Sequence, residues 1–233
     1  MSEITETTRE IARSVTIPLT VDCGAGFGEP LHVMRTVREI EAAGASAITI
    51  EDQIFPKRVH YHRDYREKTI SADEMVDKVK AMVQARVNPD FVIMGRTDAM
   101  KTESFEEGMR RVNLYLEAGA DVVKIFPNTL EEAKQAPKEA IGPLYYVNGI
   151  GNRVGRPVLT RSMAEDFGYR FLSDAVGTLL CLARAVKDYY RHWIEAGDSP
   201  IDPKEAIKIR KDVEDVTGLE EMYKIEEETT ERN

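Results

Sequence analysis

The feature that most limits the fold of this chain is a regular alternation of short apolar segments with longer segments of helical period. Segments 32–44, 71–87, 105–119 and 160–168 are predicted helices, and three of them end in Gly, a common helix stop. Repeated strand–helix units require parallel strands joined by right-handed crossovers. The sequence therefore predicts an α/β protein, with strands at 18–22, 45–51, 91–95, 121–126, 144–148 and 169–173.

The residues at the strand ends distinguish an open sheet from a closed barrel. Five of the six predicted strands finish in polar or charged groups: Asp22, residues 51–53, residues 96–98, Asn148 and Asp174. In a parallel barrel the carboxyl ends of the strands surround one mouth, where the chemistry takes place. This ring of polar groups favours a TIM-type (β/α)8 barrel, which is incomplete in this chain because six strands are visible.

The pattern changes near residue 190. Residues 1–190 are predicted to form the barrel domain, whereas residues 191–233 combine Pro breaks, short helices and a strongly acidic end. We expect this second segment to be a helical appendage, with its acidic run as a solvated tail.

Composition excludes several classes of partner. The chain has 233 residues, with 32 Lys and Arg against 41 Asp and Glu and a formal net charge of −9. Nucleic-acid binding depends on clustered Lys and Arg, so this charge argues against it and favours a small-molecule partner. The two cysteines, Cys23 and Cys181, make no disulfide framework. We expect a cytoplasmic protein without a signal peptide or membrane span.

Two acidic residues stand at the ends of neighbouring predicted strands. The carboxylates of Asp22 and Glu51 can converge on one Mg²⁺, which prefers one or two carboxylates plus water and substrate oxygens. The alternative is that each carboxylate caps the helix that follows it. Arg96 and Asp98 share one face of the next strand end, where Arg96 can clamp a substrate carboxylate or brace the mouth by pairing with Asp98.

Two loops follow these strand ends. Segment 56–69 collects basic and aromatic side chains, and His60 and His62 there are candidates for acid–base work, unless the loop is merely solvated. The turn with Gly24, Gly26 and Gly28 does not complete a dinucleotide-binding spacing. Its glycines more simply let backbone amides approach a small anionic ligand or let a lid fold over it.

Four motifs in order resemble the isocitrate lyase and phosphoenolpyruvate mutase superfamily. They are D-x-x-x-G-[FY]-G at 22–28, E-D-Q-x-x-P-K-[KR] at 51–58, F-V-I-x-x-R-T-D-A at 91–99 and A-G-A-D-x-x-x-x-F at 118–126. The resemblance implies a (β/α)8 barrel, Mg²⁺ with Mn²⁺ as the alternative, and chemistry on 2-oxo or 2-hydroxy dicarboxylates through an enolate-like intermediate. It also implies that Asp22 and Glu51 are metal ligands, Arg96 a substrate-carboxylate clamp, and Asn148 a substrate contact.

Two departures from the family pattern concern single residues. The family usually carries a second Asp where this chain has Gly24, so we expect weaker or rearranged metal binding. The lyase branch carries a proton-transferring Cys in its mobile loop, where this chain has Val59. Acid–base chemistry must then come from other residues of the loop, and the candidate catalytic residues are Lys57, His60, Tyr61 and His62, with Arg96; Gly24, Gly26, Arg96 and Asn148 are the candidate substrate-binding residues.

The third departure is that family members place two strands before the one that matches 18–22. We expect an oligomer, with a second chain supplying the first two βα units, or a homo-oligomer that closes its edges by exchange. The predicted function is a Mg²⁺-dependent carbon–carbon lyase of a small 2-hydroxy or 2-oxo (di)carboxylic acid. The alternatives are a phosphonopyruvate-type carbon–phosphorus mutase or hydrolase, and a non-catalytic scaffold that kept the fold.

Overall fold

A computed structural model describes residues 1–57 and 68–231 of the chain. The chain divides into two compact units, residues 1–177 and residues 178–233. The boundary predicted after residue 190 lies inside the helix Gly177–Ala196, whereas the division into units comes at the start of that helix.

The first unit is built on one parallel sheet whose six strands pair in chain order. The sheet curls into a half-barrel, which confirms the predicted α/β fold and the incomplete TIM-type barrel. All six predicted strands are present, and each observed strand end lies within two residues of the predicted one. They are β1 (Thr20–Asp22), β2 (Ala47–Glu51), β3 (Val92–Arg96), β4 (Val122–Ile125), β5 (Leu144–Asn148) and β6 (Phe171–Asp174).

The helices of this unit begin and end where the sequence supplies caps. The side chains of Ser71, Ser104, Thr129 and Thr160 each accept a hydrogen bond from a backbone N–H in the first turn of the helix that follows. The helices are α1 (Ser2–Ser14), α2 (Pro30–Ala42), α3 (Ala72–Ala85), α4 (Ala99–Thr102), α5 (Phe105–Glu117), α6 (Leu130–Glu139) and α7 (Arg161–Phe167).

Two helix-to-strand junctions with similar sequences, EAAGA at 41–45 and EAGA at 117–120, form the same turn. Gly44 and Gly119 adopt positive φ values of 98° and 103°, which glycine tolerates without strain. The N–H of the following residue then bonds back to the helix, from Ala45 to Ile40 and from Ala120 to Tyr115. Each junction therefore stops a helix and directs the chain into the next strand.

Helices α1, α4 and α6 are absent from the sequence prediction. Helix α1 is polar, and its buried residues are Thr5 and Thr8 rather than an apolar stripe. Helix α6 contains Pro137, a residue that normally interrupts a helix. The sequence signals of α1 and α6 were weak for these reasons, and α4 has only 4 residues.

The two faces of the sheet bury different clusters. The larger apolar core lies between the sheet and the helices and includes Ile48, Ile50, Ile93 and Val123. Alternate strand residues point to the opposite face, whose apolar cluster contains no residue of helices α1–α7; we call it the helix-free face. A smaller apolar cluster lies there, made of Ala47, Met94, Val122, Phe126, Tyr145 and Val147. The helix-free face is thus apolar in its depth, and its polar residues lie toward the carboxyl ends of the strands.

The two edge strands are less covered than the central ones. Every residue of β2, β4 and β5 is buried, whereas Thr20 and Asp22 of β1 and both end residues of β6 are exposed. Within the described residues, β1 pairs only with β2 and β6 only with β5. The curl of the sheet is therefore open between β1 and β6.

The second unit consists of α8 (Gly177–Ala196), α9 (Pro203–Thr217) and α10 (Leu219–Glu228). Asp202 caps α9 by accepting hydrogen bonds from two backbone N–H groups, and Gly218 ends it with a left-handed turn. Among the described residues of these three helices, none is buried. In the part of the chain that the structure describes, no helix is both long and apolar enough to cross a membrane.

Candidate active site

One rung of the sheet carries the charged side chains of the helix-free face. Glu51 of β2 lies beside Arg96 of β3, Arg96 beside Lys124 of β4, and Lys124 beside Tyr145 of β5. Parallel pairing places these side chains on the same face at the same height. Asp22 ends the neighbouring strand β1 and reaches the same rung.

Arg96 is the centre of this arrangement. Its Nε and Nη2 donate to the two carboxylate oxygens of Asp98 at 3.0 and 3.1 Å. Its Nη1 lies 2.8 Å from Glu51 Oε2 and 3.6 Å from Asp22 Oδ2. The sequence left open whether Arg96 clamps a substrate or pairs with Asp98, and the structure shows the internal pair. We call these three carboxylates and the cations that contact them the charged cluster; its members are Asp22, Glu51, Lys57, Arg96, Asp98 and Lys124.

The carboxylates of Asp22 and Glu51 meet at Arg96 but have different environments. Burial pushes the pKa of Asp22 upward, yet Arg96, Lys124 and the N–H of Gly24 outweigh burial and lower that pKa. Burial raises the pKa of Glu51, and Arg96 only partly offsets it. Neither residue caps a helix, because α2 begins after Glu29 and α3 after Ser71. The helix-cap alternative is therefore wrong for both.

Glu51 also contacts the start of the predicted loop. Lys57 Nζ lies 3.0 Å from Glu51 Oε1 and donates a hydrogen bond to Oε2 at 3.2 Å. Oε1 itself is buried and accepts no hydrogen bond within the described residues. The other candidates in this loop, His60, Tyr61 and His62, lie outside the described residues and stay predictions.

Asp52 supports the cluster from behind. Its carboxylate accepts hydrogen bonds from Thr97 Oγ1 at 2.7 Å, Tyr115 OH at 2.8 Å and the N–H of Asp98 at 3.0 Å, and Arg111 Nη1 lies 3.2 Å away. These contacts fix the backbone of β3 just where Arg96 leaves it. Asp52 therefore positions Asp98, which in turn positions Arg96.

The glycine turn divides into two roles. Gly24 has φ of +53°, and a Cβ added there would lie 4.0 Å from Glu51 Oε1. Position 24 thus faces the charged cluster. Gly26 has φ of +82°, and a Cβ there would lie 2.7 Å from Val33 Cγ2, on the side of the helices. Gly26 serves the packing of the turn, and no described contact ties it to the charged cluster.

Cys23 lies between Asp22 and Gly24 and is buried. Burial raises the pKa of its thiol to about 12, so the group stays protonated at neutral pH.

Asn148 ends β5 and is committed to the loop that follows. Its Nδ2 donates to the carbonyl of Leu159 at 2.8 Å, and its Oδ1 accepts from the N–H of Leu159 at 2.9 Å. Among the described residues, no hydrogen bond or ion pair joins it to the charged cluster. The predicted substrate contact of Asn148 remains a prediction.

Three buried residues of the site were missed by sequence reasoning: Lys124, Arg156 and Tyr115. Lys124 lies in an otherwise apolar strand, and a charge in that position was the available signal. Burial lowers its pKa, against the opposing charge of Asp22. Arg156 comes from the loop after β5, and its guanidinium carbon lies 4.8 Å from the ring of Phe126. No sequence pattern marked Tyr115, whose partner Asp52 is 63 residues away in the chain, and none marked Arg156.

Replacing Arg96 tests whether the cluster depends on its guanidinium. We expect Arg96→Met to lower the free energy of unfolding by about 3–5 kcal/mol at pH 7, because it leaves Glu51 and Asp98 buried without their cation. The loss should shrink at pH 5. A buried carboxyl whose pKa is raised on folding binds its proton more tightly in the folded state, so protonation stabilises the fold as the pH falls through that pKa.

Urea denaturation at the two pH values measures this loss. Arg161→Met removes an exposed Arg–Glu pair and is the control, with little expected effect. A loss of equal size at both pH values would contradict the assignment of buried carboxylates to Arg96.

Comparisons with known proteins identify the family of the chain. A family model described as phosphoenolpyruvate phosphomutase matches residues 1–170. The chain is 34% identical to 2,3-dimethylmalate lyase of Eubacterium barkeri, over 97% of this chain and 77% of the relative. It is 35% identical to 2-methylisocitrate lyase of Aeropyrum pernix, over 99% of this chain and 73% of the relative.

Among solved structures, the chain resembles phosphonopyruvate hydrolase in complex with oxalate and Mg²⁺. The TM-score is 0.80 at 28% identity, covering 99% of this chain and 79% of that one. The chain belongs to the phosphoenolpyruvate phosphomutase family, within the isocitrate lyase and phosphoenolpyruvate mutase superfamily.

Proposed function

We propose that this protein is a Mg²⁺-dependent carbon–carbon lyase of a small 2-hydroxy or 2-oxo (di)carboxylic acid, acting through an enolate-like intermediate. The carboxylates of Asp22 and Glu51, which end β1 and β2, both lie within 3.6 Å of Nη1 of Arg96, which ends β3. This convergence is the observation that carries the proposal. Two relatives that cover nearly the whole chain are named lyases, which supports the same reaction class.

The residues around Arg96 Nη1 fit a magnesium ion, with two carboxylates as candidate ligands. Asp22 and Glu51 offer two carboxylates, and the buried Glu51 Oε1 lies 3.0 Å from Lys57 Nζ but accepts no hydrogen bond within the described residues. Mg²⁺ is commonly bound by one or two carboxylates and completes its shell with water and substrate oxygens. No group of three or more His, Cys, Asp or Glu side chains suited to a metal occurs in residues 1–57 and 68–231. We therefore propose that Asp22 and Glu51 hold the ion with the help of the substrate.

Charge balance supports this dependence on substrate. The charged cluster holds three carboxylates and three cations, so it is neutral as it stands. A divalent cation alone, or a dianionic acid alone, would unbalance a poorly solvated site, whereas both together keep it neutral. When bound, Mg²⁺ would stabilise negative charge on the enolate oxygen. Arg96 is held rigidly by Asp98 and offers a fixed positive charge beside that position.

Carbon–phosphorus chemistry is the second candidate. The observation that favours it is the structural likeness to phosphonopyruvate hydrolase. Both reactions act on a small carboxylic acid and develop negative charge on an enolate-like oxygen, so the same residues would serve either. A scaffold that lost the reaction is the remaining alternative.

Calorimetric titration with Mg²⁺ and oxalate, an enolate mimic, tests the proposal. We expect each ligand to lower the dissociation constant of the other by at least about tenfold, because the pair restores the charge balance of the site. Asp22→Asn should remove this coupling, since it takes away one of two metal ligands. Asp90→Asn, which changes an exposed aspartate away from the cluster, should keep the coupling.

Independent binding of the two ligands, or no binding, would favour the scaffold. If the coupling is present, the release of a 2-oxo acid from 2-hydroxy acids identifies a carbon–carbon lyase. Release of phosphate from phosphonopyruvate would instead identify carbon–phosphorus chemistry.

Gly24 gives a second, independent test of the metal position. Gly24→Asp places a third carboxylate opposite Glu51, and Asp tolerates the positive φ found there. We expect the affinity for Mg²⁺ without oxalate to rise by about tenfold. Gly24→Asn has nearly the same shape without the charge and should leave the affinity unchanged. Equal affinities for the two variants would place the metal elsewhere.

We also propose that strands outside this sequence cover the open edges of β1 and β6. The support is that these two strands are the exposed ones, while the central strands are buried on both faces. A groove of about 360 Å³ lies along α7 and β6, next to the half-exposed Phe171. Unpaired strand edges of this kind invite pairing with another chain.

Native mass spectrometry of the protein purified from its own cells tests whether another chain covers the edges of β1 and β6. We expect an assembly in which each 26.3 kDa chain is accompanied by a smaller second chain. Because the covered edges would then be hydrogen bonded, amide exchange in β1 and β6 should be slower in the assembly than in the recombinant chain alone. An assembly of identical chains would support closure by exchange, and a 26.3 kDa monomer with fast-exchanging edges would contradict both forms of the proposal.

A further inference from the structure

Lys124 is a cation of the charged cluster with a different set of contacts from Arg96. It occupies the middle of β4, and its residue is 7% exposed. Its Nζ lies 3.7 Å from Asp22 Oδ2 and 4.8 Å from the centre of the Tyr145 ring. These contacts hold the ammonium group at the rung of Glu51 and Arg96.

Arg96 and Lys124 differ in how many of their N–H donors form hydrogen bonds. All three nitrogens of the Arg96 guanidinium face carboxylates, and two of them donate hydrogen bonds to Asp98. Lys124 Nζ, in contrast, forms no hydrogen bond of 3.5 Å or less with the described residues. An ammonium group has three N–H donors, and a buried one is costly unless those donors are satisfied.

The position of Asp22 leaves room for a further anion. One oxygen, Asp22 Oδ2, lies 3.6 Å from Arg96 and 3.7 Å from Lys124, which is longer than a direct charge-assisted hydrogen bond. Arg96 and Lys124 are register partners on adjacent strands, and like charges placed in this way repel each other. A carboxylate brought by a ligand would relieve this repulsion and satisfy the donors of Nζ.

The geometry points to Lys124 as the residue that binds the carboxylate of a small 2-oxo acid anion at this site. The ring of Tyr145 supports the ammonium group from one side, and Asp22 holds it on the other. Arg96 remains with its own carboxylates and contributes charge rather than free donors. This inference rests on the proposed function, because it takes the ligand of the charged cluster to be a small 2-oxo acid.

Calorimetric titration of Lys124→Met tests the assignment, with oxalate as the ligand and Mg²⁺ as the metal. Methionine keeps the length and the apolar packing but has no charge. We expect the dissociation constant of oxalate, at saturating Mg²⁺, to rise roughly tenfold to hundredfold, the loss for one charge-assisted contact. The affinity for Mg²⁺ without oxalate should stay the same or become tighter, because a positive charge next to Asp22 is gone. A merely structural role would weaken both.

Two further variants complete the test. Lys134→Met removes a lysine that lies 5.6 Å from the ring of Phe167, away from the cluster, and should leave both affinities unchanged. Lys124→Arg keeps the charge and should restore oxalate binding to within about tenfold of the original chain. Thermal melting of each variant establishes that it is folded, and a Lys124→Met chain that fails to fold leaves the decision to Lys124→Arg and Lys124→Gln.

The outcomes separate this inference from the proposed function. If the original chain binds oxalate and Mg²⁺ with coupling, and Lys124→Met binds oxalate with unchanged affinity, only the role of Lys124 is overturned. If the original chain does not bind oxalate, the proposed function fails and the role of Lys124 fails with it.

Discussion

The site depends on one buried guanidinium that is shared by three carboxylates. Arg96 would be costly in the sheet interior without Asp98 and Glu51, and those carboxylates would be equally costly without Arg96. Asp52 extends this dependence away from the site, because it fixes the backbone N–H of Asp98. The charges therefore hold one another in place before any ligand arrives, which gives the mouth of the half-barrel a fixed electrostatic pattern.

The same pattern leaves few acidic groups for a metal. Position 24 faces Glu51 but carries no side chain, and Lys124 places a cation on the same face. Both features shift the local charge in the positive direction, which disfavours a tightly bound cation and favours an anion. Metal and acid are then expected to depend on each other more strongly than in a site rich in carboxylates.

The open curl of the sheet sets the other constraint on function. The central strands are fully covered by helices on one face and by the Met94 and Phe126 cluster on the other. Strands β1 and β6 lack such cover, although Asp22 of β1 belongs to the charged cluster. Any cover of the β1 edge would therefore lie next to the charged cluster.

The sequence by itself determined the α/β class, the six strands, their polar ends and the family, since these follow from periodicity, caps and motifs within short stretches of chain. It also marked Asp22, Glu51 and Arg96, because each ends a strand. It did not determine how Arg96 is engaged, nor the parts played by Lys124, Asp52 and Tyr115. Those depend on strand register and on contacts between residues as far apart in the chain as Asp52 and Tyr115, and only the tertiary structure brings such residues within hydrogen-bonding distance.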